Sequence, residues 1–134
     1  MGAVLTFTYP KQHEGKICPE LHRWRTGESV QVLTCAITAH TDGVAAASTT
    51  VSIIGRIARF AVVDNGTNPT ADWDFTLKDT AGADVLAGAG TDMASAADSA
   101  VIADGGVPVH GLLTLTCAAM GSGGQALLTI YLVP

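Results

Sequence analysis

Four aspartates and one lysine fall within sixteen positions, Ala71 to Leu86, in the run ADWDFTLKDTAGADVL. Together with Asp64, the carboxylates Asp72, Asp74, Asp79 and Asp84 could do one of two things. They could hold a hard cation such as calcium, which takes six to eight oxygens from a loop folded around it. They could instead form an acid–base pair for glycoside cleavage. Asp72 and Asp74 share a strand face, but no D-x-D-x-D-G loop is present and no aromatic sugar platform accompanies them. The plainer reading is an acidic hairpin. Trp73, Phe75 and Leu77 alternate with Asp72, Asp74, Thr76 and Lys78 at period two, so the bulky residues face a core. DTAG has the Asp-first, Gly-last preference of a type I turn, and Ala83 to Leu86 would return as the partner strand. The expectation is therefore aspartates at turn and solvent positions, with no metal and no cofactor.

Other chemistry-bearing residues are sparse. His13, Cys18 and His22 lie within ten positions, but structural zinc needs four ligands and the C-x-x-C knuckle is missing. No G-x-S-x-G elbow occurs, AGAGTDM does not follow the dinucleotide pattern, and MGSGGQ lacks the P-loop lysine. The sequence predicts no enzyme. LHRWRTG, Leu21 to Gly27, sets Trp24 between Arg23 and Arg25 with His22 beside them. That composition is favoured where proteins touch. Alternatively Trp24 caps one end of the core while the arginines stay in water.

These residues need elements to position them. VLTFTY alternates Leu5, Phe7 and Tyr9 against Val4, Thr6 and Thr8, a strand with one bulky face stopped by Pro10. Residues 10–29 hold no period and read as a long loop or arm. Val30 to Thr38 is a buried strand, and AHTDGVAAAS a turn region. Thr49 to Val63 is either two short strands or one strand bent at Gly55. In the simple alternation Arg56 and Arg59 fall on opposite faces unless a bulge resets the phase. Met93 to Ala103 is small and polar, either a short helix or an ordered loop. LLTLTCA and QALLTIYL are the last strands, joined by the glycine-rich AMGSGG as a hairpin. About eight short strands without βαβ alternation predict an all-β antiparallel sandwich, one domain over residues 1–134.

Composition narrows the partners. Residues 1–60 carry six basic and four acidic side chains, residues 61–134 one basic and eight acidic, giving +2 and −7 and hence the net −5. Seven scattered Lys and Arg are too few and too dispersed to displace counterions from nucleic acid. The asymmetry suits electrostatic matching between subunits or with another protein. Three cysteines without paired spacing predict free thiols and a reducing cytoplasm. MGAVLTFTYP has neither a basic start nor a long apolar run, so neither a signal peptide nor a membrane segment is expected.

GRIARFAVVDNGTNPTADWDFTLKDTAGADVLAGAGTD, followed by VPVHGLLTLTCAAMGSGGQALLTIYLV, resembles a group of small tailed-bacteriophage virion proteins. The shared pattern is W/Y-D-[FV]-T-L-x-D-x-x-G-x-D-V-L and a final P-V-x-G-x-L-x-L, over roughly residues 51–133. The resemblance implies a jelly-roll-like sandwich acting as a capsid decoration or cement protein on the virion surface. A neck, tail or baseplate component is the alternative within that group. It implies contact with a major capsid protein and self-association as homotrimer or homodimer, and carries over no catalytic residue. An alternative of another class is a calcium- or carbohydrate-binding sandwich module.

Overall fold

The computed structural model describes residues 3–9, 31–50, 52–102 and 106–133. Nine strands follow in order: β1 (Val4–Thr8), β2 (Gln31–Thr38), β3 (Ala45–Ser48), β4 (Ile53–Asp64), β5 (Asp74–Lys78), β6 (Asp98–Val101), β7 (Val107–Gly111), β8 (Thr114–Ala118) and β9 (Gln125–Val133). The described residues contain no helix. A six-stranded sheet runs β1-β2-β9-β4-β6, with β7 also paired to β4, and a three-stranded sheet runs β3-β8-β5. Every ladder is antiparallel.

The pairing is nested: β2 with β9, β3 with β8, β4 with β7, moving one strand inward from each end at every step. Such nesting is what a long hairpin gives when it rolls into a two-layer jelly roll. The fourth pair, β5 with β6, is not made. Instead β6 follows β7 along the same edge of β4, and residues 84–93 lie against β5. The handover between β7 and β6 falls at a register shift between Ile57 and Arg59, where the Ala58 carbonyl accepts the Ile102 N–H at 2.9 Å. A bulge adds one residue to one strand and flips the phase beyond it. Ile57 and Phe60, three apart, thus both point inward, and Arg56 and Arg59 share the outer face.

The core lies between the sheets. Leu33, Cys35 and Ile37 of β2, Phe60 and Val62 of β4, and Leu128 and Ile130 of β9 meet Phe75 and Leu77 of β5 and Leu115 and Cys117 of β8. Phe60 packs edge-on against Phe75 across the layers, centroids 5.0 Å apart, and Trp73 lies 5.6 Å from Phe75. The Trp73 Nε1–H donates to the Ala94 carbonyl at 3.1 Å, so the ring is fully buried with its polar handle satisfied.

Several expectations need correction. Ala83 to Leu86 is no partner strand: β5 pairs with β8, and only an isolated Lys78–Asp84 bridge touches the return. β8 and β9 are no hairpin, because they belong to different sheets and AMGSGG crosses between them. Ala45 to Ser48 is a strand rather than turn, and the stretch from Met93, expected as a short helix or an ordered loop, contains the strand β6. Of the two readings of Thr49 to Val63, the single strand holds, as β4. The arm at 10–29 lies outside the described residues.

Candidate functional site

His22, Arg23, Trp24 and Arg25, together with His13 and Cys18, fall outside the described residues. The acidic stretch is fully visible, and its carboxylates hold backbone. Asp84 does most: Oδ1 accepts the N–H of Leu77 and of Leu86, both at 3.1 Å, and Oδ2 accepts the N–H of Gly88 at 3.0 Å. This one side chain ties the edge of β5 to the turns that follow it. Asp79 Oδ1 accepts the Ala81 N–H at 2.9 Å, closing the predicted turn together with the Gly82 N–H to Asp79 carbonyl bond. Asp74 Oδ1 accepts the Asp92 N–H at 2.8 Å. Asp98 caps the Ala94 and Ser99 N–H groups at 3.0 and 2.8 Å.

The need for these anchors follows from the missing strand partner. Where β6 would have paired β5, the chain runs through consecutive turns, and each turn leaves N–H groups that a ladder would have used. Aspartate is the residue that accepts from the backbone two positions on. Asp72 and Asp92 also adopt left-handed φ of 66° and 56°, which short polar side chains tolerate. Gly90 lies flat on β5, its carbonyl accepting the Phe75 N–H at 2.8 Å. A Cβ there would sit 2.3 Å from the Phe75 carbonyl oxygen.

Among the described residues no group of three or more His, Cys, Asp or Glu is placed to hold a metal ion. Cys35 and Cys117 are free and buried, and burial pushes both thiols up to about 12. The thiolate is the reactive form, so neither is a nucleophile at neutral pH.

What the molecule presents outward is a sheet face. On the large sheet the register aligns Thr8, Thr34, Thr129, Ala61 and Ser99 in one cross-strand row. The next row aligns Val32, Tyr131, Arg59 and Val101, with the Arg59 guanidinium 4.6 Å over the Tyr131 ring. On the other side Thr6, Ala36, Leu127 and Val63 align. Arg56, beside Val133 and Pro108, and Arg59 are the charges of this face. Asp64 and Asp98 occupy the inward phase of their strands, opposite Ala126 and Val62. This outer surface is not among the residues that the sequence motifs single out. Its signal was present in the solvent phase of β1, β2 and β9, where threonine, alanine and valine stand in place of the usual Lys and Glu.

No family model matches the sequence, and no curated protein is similar to it. Among solved structures, the family 32 CBM from C. perfringens NanJ in complex with galactose has a related outline. It is 11% identical, with 96% of this chain and 93% of that one covered and a TM-score of 0.40. At that level the likeness carries no inference about a ligand.

Proposed function

We propose that this chain is a bacteriophage virion structural protein of the capsid decoration or cement type, binding the shell of the major capsid protein and stabilising it. The observation that carries the reading is how the chemically able side chains are used. In the described residues Asp74, Asp79, Asp84 and Asp98 fasten loops, and both thiols are sealed in the core. What the described residues leave for function is their outer surface. Such a build suits a role in contact, and contact that exists only on an assembled shell shifts the equilibrium toward assembly.

The residues that resemble phage virion proteins support this in a structural sense. W-D-F-T-L carries the inward residues Phe75 and Leu77 of β5 and Trp73 just before it, D-x-x-G-x-D is the Asp79 turn followed by the Asp84 anchor, and P-V-x-G-x-L-x-L spans β7 and β8. The pattern therefore describes one way of building the sandwich edge.

Quantitative mass spectrometry of purified particles, normalised to the major capsid protein, tests the proposal. The expected result is a fixed, shell-like copy number, with particles lacking the chain losing heat or osmotic resistance. A copy number fit for a single ring would move it to the neck, tail or baseplate, and absence from particles would overturn the reading. Calorimetric titration with calcium and with a glycan panel should be silent; a saturable signal would favour a ligand-binding module instead.

A further inference from the structure

The outer face of the large sheet is unusual for a chain of net charge −5. The charged side chains of its described residues are Arg56 and Arg59, beside the exposed His110 of β7 and among threonine, alanine, valine, Leu127 and Tyr131, with Val101 71% and Val4 55% exposed. Five strands about 4.8 Å apart and five rows about 6.7 Å apart give roughly 19 by 27 Å, on the order of 500 Å². A standard interface takes about 800 Å² per partner, so this face alone suits a reversible contact.

The charges decide what covers it. If the face met itself about a two-fold axis, Arg56 and Arg59 of both copies would enter one interface with no carboxylate among the described residues of that face to match them. Its complement must be acidic, and the same chain carries one in the other layer. Asp72, Asp74 and Asp92 form a single patch on the β5 edge, joined by the Asp92 N–H to Asp74 Oδ1 bond and by the bonds that Asp72 and Trp73 make with Met93. The two patches belong to opposite sheets, so a copy cannot satisfy itself. Two different, complementary patches on one chain are what a head-to-tail ring or row requires.

We infer that copies of this chain associate head to tail, the outer face of the large sheet of one copy seating on the Asp72–Asp74–Asp92 edge of the next. The inference rests on reading the chain as a contact protein and names its partner as a second copy. Screening by salt weakens the contact, since both patches are exposed.

Sedimentation velocity on the purified full chain, across concentration at low and high salt, reads it directly. Wild type should form larger species at low salt. Arg56→Glu/Arg59→Glu should weaken association about tenfold or more, and Asp72→Asn/Asp92→Asn should weaken it in the same direction. Each variant keeps one good patch, so mixing the two should restore a dimer and nothing larger. That rescue also shows that both variants are folded. A wild type that stays monomeric at every concentration, an oligomer indifferent to both variants, or the absence of rescue would overturn the inference. If the monomeric chain were still found at high copy on particles, the shell reading would stand and only this contact would fall.

Discussion

Replacing Asp84 by alanine removes the acceptor for three backbone N–H groups at once. The Gly88 N–H is exposed and can turn to water, so it contributes little. Those of Leu77 and Leu86 are part-buried, and an unsatisfied buried donor costs about 1–3 kcal/mol. Asp84→Ala should therefore destabilise by about 3 kcal/mol, a large part of the 5–15 kcal/mol typical of a domain. With a urea m-value of about 1.5 kcal/mol/M, the unfolding midpoint falls by about 2 M with m unchanged. Asp84→Asn keeps an oxygen for Leu77 and Leu86 and opposes only Gly88 with an N–H, so its cost should be about 1 kcal/mol. Equilibrium urea denaturation of the three proteins measures both. A loss below about 0.5 kcal/mol for the alanine variant would refute the argument that this carboxylate replaces the missing β5–β6 ladder. So would an asparagine variant as unstable as alanine, because geometry would then not be the source.

Gly90→Ala places a methyl group 2.3 Å from the Phe75 carbonyl oxygen, so the turn must lift off β5; a loss of about 1–3 kcal/mol should appear in the same denaturation assay. The thiols supply the alkaline limit. Burial raises both from an ordinary 9.0 to about 12, so the folded state keeps protons that the unfolded chain releases. Stability is then full below about pH 9 and declines as pH climbs toward 12. Thermal melts across that range should show the decline, and Cys35→Ala/Cys117→Ala should flatten it. In native protein at neutral pH a thiol reagent should leave Cys35 and Cys117 unmodified until denaturant is added.

Much of the sandwich was legible because alternation was strong where bulk was high. Leu5 and Phe7 on β1 with Tyr9 just after it, and Phe75 and Leu77 on β5 with Trp73 just before it, point inward as their spacing required. Ala45 to Ser48 escaped notice because an alanine-rich strand has no bulky face to betray its period. The hairpin expected at Asp79 fails for a different reason. Its turn chemistry is real, but a local turn says nothing about whether the chain beyond it extends, and Asp84 fixes further turns instead. AMGSGG reads as a hairpin from composition alone, since glycine permits a sharp reversal equally within a sheet and between sheets. The outer face is legible in the solvent phase of β2 and β9, which carries no charged residue, in contrast to the cluster of charge at Asp72 to Asp84.

The position of β9 has a consequence for synthesis. Gln125–Val133 lies between β2 and β4, so the middle of the large sheet is contributed by the final described strand. Until those nine residues leave the ribosome, the strands on either side each carry an open edge, a template for wrong pairing. Maturation of this sandwich must wait for the whole length described to emerge, and a chain stalled before Gln125 would be sticky rather than half-formed.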